Sequence, residues 1–408
     1  MSERIFILDA KRSAISKFLG DLASTDIVDV ACQVIKGGFQ EELIEKVEKV
    51  IIGNVFSTGL GQGVARNIAL ISGCRQETPA YSLNMVCGSG MQAVLNGVME
   101  LKSGMNLVLT GGIEAMSDIP YAVPAKVRNG IKMGDITLTD LLIHDGLTDQ
   151  FTGEHMGITA ETVAKKYHVT REKQDSYAWE SLQKTIKAID SGAFQDEIVP
   201  VTCYDKRRNE FVFDVDSNPN RASSLEKLKK LKPAFLNDQT GTVTAGNSSA
   251  INDGACFVLL ATESFCRKNH VRPLAEIIDG VTVGLSPMYM GMGPYYAISA
   301  LLEKTALSIE EIDVFEINEA FASQAIASVE QLAEKYGVES SMIFSRCNRY
   351  GSGIGLGHPL GMTGARIITT LAHIMKKEPC EYGIASLCIG GGMGAAALLR
   401  RIDDYEVF

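Results

Sequence analysis

What most restricts the fold of this 408-residue chain is an alternation of short apolar runs, each ending near a turn residue, with segments of helical periodicity. Val50-Ile51-Ile52 precedes Gly53, Leu107-Val108-Leu109 precedes Gly111-Gly112, and Cys256-Phe257-Val258-Leu259-Leu260 precedes Thr262. Runs this apolar are strands buried on both faces, and burying both faces takes helices on either side of a sheet. The fold class is therefore α/β. Ile5-Phe6-Ile7-Leu8 reads as the first strand, since it lacks the basic region and the long apolar core of an export signal. A scaffold helix is expected over residues 170–188, capped by Thr170 and stopped by Gly192.

Glycine placement carries a second message. Cys87-Gly88-Ser89-Gly90 opens a helical stretch that leads to an apolar strand and Gly111-Gly112. His358-Pro359-Leu360-Gly361 opens another, leading to residues 384–387 and Gly390-Gly391-Gly392. The shared order of reactive residue, helix, strand and glycine turn predicts a duplicated core. The halves are expected at 1–270 and 271–408, with a loop domain over about 119–247 in the first.

Charge and cysteine usage narrow the function. A net charge of −10 argues against a nucleic-acid binder and leaves an anionic ligand to local basic groups. The basic cluster between residues 204 and 232 is such a group, read either as solvated surface or as a phosphate-binding lid. Nine cysteines without a CxxC pair or a Cys/His cluster read as reduced thiols, with no disulfide or zinc framework and no metal site. Residues 382–399 are apolar but hold five glycines, too broken for a membrane span. A cytoplasmic protein is expected.

Four side chains stand where chemistry is commonly placed. Cys87 sits between a strand-like stretch and a helix start, where unpaired N–H groups favour a thiolate, although most free cysteines are simply core. Cys388 ends an apolar strand just before a glycine turn able to aim a bare N–H at an oxyanion. His358 lies in a glycine-dense loop with room for a ligand, and imidazole is the side chain best matched to proton transfer near neutral pH. Asn318 ends the strand Val314-Phe315-Glu316-Ile317 and is either an N-cap or a group that fixes a water. Two thiols, an imidazole and an amide together suit acyl transfer through a thioester.

These blocks resemble the signatures of the thiolases: Asn84-Met85-Val86-Cys87-Gly88-Ser89-Gly90, Ala245-Gly246-Asn247-Ser248-Ser249-Ala250-Ile251-Asn252-Asp253-Gly254-Ala255, Asn318-Glu319-Ala320-Phe321-Ala322, Gly357-His358-Pro359 and Cys388-Ile389-Gly390-Gly391-Gly392. The resemblance spans nearly the whole chain. It implies two duplicated βαβαβαββ halves packed as an αβαβα layered sandwich, with a loop excursion in the first. It implies condensation of two acetyl-CoA to acetoacetyl-CoA plus CoA, and the reverse thiolysis. Cys87 would be the acylated nucleophile, His358 its activator and Cys388 the residue exchanging the α-proton. Asn318 would orient a water, and the N–H groups of Cys87 and Gly390 would form a second oxyanion site. CoA would contact His155, Met156, Arg221, Ser249, Met290 and Phe321. No tightly bound cofactor is implied; the partners are CoA thioesters and further copies of the chain, as a homodimer or homotetramer. The alternatives are a broader-chain 3-ketoacyl-CoA thiolase and a catalytically inactive acyl-CoA-binding or scaffold protein. Ser352, Gly353, Gly355 and Ala250 depart from the usual pattern. All are small-for-small changes, and the expected consequence is extra room beside His358 that would admit a longer or branched chain.

Overall fold

In the computed structural model, which describes residues 3–236 and 240–402, the apolar runs become nine strands of one mixed sheet. They are β1 (Ile5–Arg12), β2 (Lys49–Gly53), β3 (Ala80–Leu83), β4 (Leu107–Ala115), β5 (Asn252–Thr262), β6 (Ala275–Gly284), β7 (Ile312–Ile317), β8 (Tyr382–Ile389) and β9 (Met393–Arg401). Their spatial order is β7-β8-β9-β6-β1-β5-β4-β2-β3, with Ser16–Lys17 added beside β5. Only Phe6 opposite Glu276 and Ile7 opposite Ala275 join β1 to β6. That thin seam divides the sheet into two half-sheets.

The half-sheets repeat one topology. In the first, β3 and β4 flank β2 in parallel and β5 and β1 continue antiparallel. In the second, β8 is parallel to β7, and β9 and β6 continue antiparallel. A parallel bridge from Cys347 to Phe315 stands where the first half has β3. The echo in the sequence is thus an echo in space.

Among the described residues the eight longer helices surround and separate the half-sheets: α1 (Ile27–Gly38), α2 (Val64–Ile71), α3 (Ser89–Lys102), α4 (Met156–Lys166), α5 (Arg171–Asp190), α6 (Gly293–Thr305), α7 (Ala322–Tyr336) and α8 (Leu360–Lys377). One apolar core joins α1 and α2 to the outer face of the first half-sheet, and another joins α6 and α7 to the second. A third holds α3 and α8 between them. These are the five layers of an αβαβα sandwich. Every residue of α8 from Leu360 to Met375 is buried, as a helix with no solvent face requires.

Small residues set the approach of the central helices. A Cβ on Gly90 would lie 2.7 Å from the Gly361 carbonyl oxygen, and one on Gly364 2.3 Å from the Met91 nitrogen. The same constraint corrects the expected turn at Gly111-Gly112. The strand runs straight through both residues to Ala115, because a Cβ at Gly112 would stand 2.0 Å from Gly361 O and one at Gly111 2.2 Å from Cys256 O. Those glycines serve close packing rather than a change of direction.

The excursion between β4 and β5 holds α4, α5, the hairpin Val201–Tyr204/Glu210–Phe213 and the short helix Leu225–Lys229. Its base is tied down by Arg12, fully buried, which donates to Glu197 at 2.7 Å and to both oxygens of Asp216 at 2.7 and 2.9 Å. A buried pair of this kind fixes register more than it adds stability. Thr170 caps α5 through the Lys173 N–H, as expected, and Gly192 follows the helix at φ +70°. Lys206, Arg207 and Arg208 occupy an exposed hairpin turn. No helix among the described residues is long and apolar enough to cross a membrane.

Candidate active site

The strand β3 ends four residues before Cys87, and the chain then makes a tight turn into α3. Val86 takes φ +47° in that turn, a conformation costing a β-branched residue roughly 1–3 kcal/mol. Hydrogen bonds hold it there. Val86 N donates to Asn84 Oδ1 at 2.9 Å, Met85 N to Ser89 Oγ at 2.8 Å, and Ser89 Oγ to Val86 O at 2.7 Å. The result lifts Cys87 at the head of α3, partly exposed while its neighbours Gly88, Ser89 and Gly90 are buried. Gly88 has no room for a side chain, since a Cβ would meet Ile389 Cδ1 at 2.4 Å. The turn of the first half therefore lies directly against the end of β8 in the second.

That contact brings the two thiols together. The Gly390 N–H lies close enough to the Cys87 sulfur to favour its thiolate, and the Cys388 thiol senses the charge of Cys87. Burial pushes the Cys87 thiol up to about 11, against the lowering by the N–H groups of Gly390 and Cys87, with the charge of Glu114 raising it further. The thiolate expected from the helix start is overridden, because desolvation outweighs the helix end. Cys388, buried to 1% among Met156, Met290, Ala320 and Phe321, is raised by burial and then by Cys87. Neither thiol ionises without a base, and each thiolate once formed is a strong one.

His358 is the candidate for that base. His358 Nδ1 lies 2.7 Å from Thr363 Oγ1, whose own proton goes to the Pro359 carbonyl at 2.9 Å. Thr363 can then only accept, so Nδ1 carries the ring proton and Nε2 keeps its lone pair. Burial, and then the charge of Arg366, lower the His358 pKa to about 3. The imidazole is neutral at physiological pH. Asn318 Nδ2 sits 3.4 and 3.5 Å from the two ring nitrogens, over the ring rather than along a lone pair. Asn318 is not an N-cap: α7 begins at Ala322 with Phe321 in that position, and the Asn318 side chain is buried with Oδ1 unpartnered.

Several supports carry no signal in residue type alone. Glu114, fully buried near the end of β4, accepts from Asn54 Nδ2 at 2.9 Å, Val55 N and Phe56 N at 3.1 Å, and Gly361 N at 2.7 Å. It binds the apolar wall beside Cys87 to the start of α8, and burial raises its pKa to about 7. Glu319 accepts from Ser181 Oγ at 2.6 Å and Asn348 Nδ2 at 2.8 Å, so α5 braces the glycine loop as well as the excursion. Asn252 Oδ1 accepts the His358 N–H at 3.0 Å. Asn252 lay in a quoted block and Thr363 five residues beyond the histidine, so both were within reach of the sequence.

The room expected beside His358 is already filled. A Cβ on Gly355 would lie 2.1 Å from Thr185 Oγ1, and one on Gly353 2.8 Å from Asn318 Oδ1. The hydroxyl of Ser352 takes a hydrogen bond from Arg366 Nη2 at 3.1 Å. Thr185 of α5 fills the space beside Gly355, and Asn318 and Glu319 fill that beside Gly353.

The expected CoA contacts divide into two groups. Met156, Met290 and Phe321 share the apolar cluster of Cys388, and His155 stacks on Phe235 with ring centroids 4.8 Å apart. Beyond them a groove of about 460 Å³ is lined by Asn218, Lys227, Leu231, Ser248, Ala250 and Gly355, among others. Ser249 stands beside it, its N–H on the Ala320 carbonyl at 2.9 Å. Arg221 is on the surface, paired with Asp190 at 2.6 Å, while Lys227 is the cation on the lining. Among the described residues no three His, Cys, Asp or Glu side chains group to hold a metal ion.

Comparison with known proteins agrees with this geometry. Residues 5–264 match the family model described as thiolase, N-terminal domain, and residues 271–401 the model described as thiolase, C-terminal domain. The chain is 42% identical to the acetyl-CoA acetyltransferase of Escherichia coli over 400 residues, 97% of this chain and 99% of that protein. The crystal structure of the Bacillus anthracis acetyl-CoA acetyltransferase superposes with a TM-score of 0.91 at 38% identity, covering 98% of this chain and 99% of that one. The Acat5 thiolase of Ascaris suum, solved in complex with coenzyme A, gives 0.89 at 35% identity, with 98% and 100% covered.

Proposed function

Because the chain belongs to the thiolase family, we propose that it joins two acetyl-CoA molecules into acetoacetyl-CoA and CoA, and runs the reverse thiolysis, through an acetyl thioester on Cys87. The observation that carries this reading is the meeting of Cys87 and Cys388 across one site, beside a histidine whose free nitrogen is unprotonated.

Cys87 sulfur attacks the thioester carbonyl while His358 Nε2 takes its proton and passes it to the departing CoA sulfur. One thioester replaces another of nearly equal energy. The N–H groups of Cys87 and Gly390 face the oxyanion that forms on the way. In the second half-reaction His358 Nε2 takes the Cys388 proton, and the Cys388 thiolate so formed removes the α-proton of a second acetyl-CoA, whose thioester oxygen is held by a water oriented by Asn318. The resulting carbanion attacks acetyl-Cys87, the carbon–sulfur bond breaks, and the proton held by His358 returns to the Cys87 sulfur, leaving Cys388 a thiol again. A thiol raised by burial suits this step, since its thiolate is basic enough for an α-hydrogen.

The acyl end favours acetyl over longer chains. Cys87 packs against Val55, Phe56, Met116, Leu142 and Leu360, and a Cβ at Gly146 would fall 2.2 Å from the Phe56 ring. His155, Met156, Ser249, Met290 and Phe321 would line the pantetheine path, with Arg221 at its outer rim. Self-association is part of the reading. The free edge at β3 with Tyr81, and Tyr121, Met133, Leu138 and Phe151 on the excursion, are exposed, and two such surfaces fit a homodimer or a homotetramer in the cytoplasm.

The test is intact-mass measurement after addition of acetyl-CoA. One acetyl group per chain, absent in Cys87→Ala, is the expected result. An unmodified wild-type chain would return the protein to the inactive, acyl-CoA-binding reading.

A further inference from the structure

Asn218 stands on the wall of the CoA groove, yet both ends of its amide are engaged inward. Nδ2 donates to the Gly355 carbonyl at 2.9 Å, and Oδ1 accepts from Asn252 Nδ2 at 3.0 Å. Asn252, fully buried, holds the Ser16 carbonyl with the same Nδ2 at 2.9 Å and takes the His358 N–H on Oδ1 at 3.0 Å. Three side-chain hydrogen bonds thus run without a break from the groove to the backbone of the catalytic histidine.

The two ends of this path are held differently. On the excursion side Asn218 is fixed: Ser217 N donates to Ile15 O at 3.0 Å, Arg12 grips Asp216, and Pro219 stiffens the next residue. On the other side Ile354 and Gly355 also line the groove, and they belong to the loop that delivers His358. Gly357 takes φ +107° there, and a Cβ on it would lie 2.4 Å from the Asn252 amide. The Asn218 bond to Gly355 therefore crosses from one groove wall to the other. A ligand packed between those walls clamps the same pieces that this bond clamps.

We propose that Asn218 is a positioning residue that couples occupancy of the CoA groove to the alignment of His358, so that binding of the nucleotide end of the substrate is spent on the chemistry of the acyl end. This rests on the thiolase reading and adds to it a route by which remote binding raises turnover rather than affinity alone. Nothing in the route needs the nucleotide to touch His358.

The experiment is a two-by-two comparison of wild type and Asn218→Ala on acetyl-CoA and on the acetyl thioester of N-acetylcysteamine, which lacks the nucleotide. With acetyl-CoA, Asn218→Ala is expected to lower kcat about tenfold, the worth of one buried hydrogen bond lost at a catalytic loop, while KM stays within about twofold. Truncating the substrate should lower kcat in wild type and do so at least about threefold less in the variant, because the coupling is already broken. Asn218→Asp keeps the acceptor for Asn252 but loses the donor to Gly355, and should match the alanine variant. Equal truncation penalties in both proteins, a loss confined to KM, or an aspartate variant as active as wild type would each overturn the coupling. Should Asn218→Ala fail to fold, the aspartate variant carries the same comparison. Cys87 acetylation in wild type is the control: its absence sinks the thiolase reading, whereas its presence with additive penalties sinks only the role of Asn218.

Discussion

The two halves of the molecule bring the same structural corner to the middle and do opposite things with it. The last parallel pair between β2 and β4 is Gly53 with Gly112, and the last between β7 and β8 is Ile317 with Ser386. One residue beyond the first strand of each pair stand Asn54 and Asn318. Two residues beyond the partner stand Glu114 and Cys388. In the first half the asparagine donates to the carboxylate, which takes three further N–H groups and becomes a clamp. In the second, the thiol has apolar neighbours and one other thiol, and the asparagine is turned to the histidine. Duplication supplied two equivalent positions. Filling one with hydrogen bonds made it structural, and leaving the other underfilled suits the reactive role proposed for it.

The contrast is most directly broken at its reactive side. Replacing Cys388 by alanine should cut condensation and thiolysis by about 10² to 10⁴, the range for loss of a positioned acid–base group, with Cys87 still acetylated in intact-mass spectra. Condensation at the wild-type rate would remove the distinction between the two corners.

The structural side should fail in stability instead. Glu114→Ala leaves four buried donors without an acceptor and should cost about 3–5 kcal/mol in urea denaturation. The sign of the pH dependence is fixed by the raised carboxyl. Its folded pKa of about 7 stands above the ordinary 4.5, so the folded chain holds the proton more tightly between those values. Stability relative to Glu114→Gln should therefore fall as pH rises from about 4.5 to about 7 and be constant outside that window. A difference that grows with pH would show that the hydrogen bonds overcome burial.

Reactivity offers a sharper reading of the same site. With Cys87 pushed up to about 11, iodoacetamide alkylation should rise about tenfold per pH unit between pH 7 and 10, without the plateau of an ordinary thiol. Acetylation by acetyl-CoA should stay level down to about pH 5, because His358, lowered to about 3, remains neutral there. An acid limb near pH 6.5 would contradict the buried, neutral imidazole.

The smallest effect tests the filled space. Gly355→Ala should destabilise by about 1–3 kcal/mol through its clash with Thr185, and Thr185→Ala should recover part of that loss in the double variant. Additive losses would mean that α5 does not occupy the vacated volume.

How much of this was legible follows from what kind of contact each residue makes. Cys87, Cys388, His358 and Asn318 could be singled out as candidates because strand ends and helix starts are visible in local patterning, and each is close in sequence to the turn that presents it. Glu114 was silent, since its four partners come from segments about 60 and 250 residues away and nothing in its neighbourhood calls for a carboxylate. Gly111 and Gly112 misled for the same reason: a glycine that admits a distant carbonyl looks, locally, like a glycine that bends the chain. The room read into Gly353 and Gly355 was a local inference too: Asn318 stands in the first space, and Thr185 occupies the second from 170 residues away along the chain. The hydrogen-bonded path through Asn218 and Asn252 joins three segments, which no single window of sequence contains.

The backbone-to-backbone seating of α3 on α8 has one further consequence. With Gly90 against Gly361 and Gly364 against Met91, the backbones of α3 and α8 meet at these two points with no side chain between them. The two cannot slide past each other by repacking, so their spacing is as stiff as the peptide units themselves. Variation among such enzymes then has one inexpensive place to act, the excursion, which can reshape what is admitted while the bond-making centre beneath it stays still.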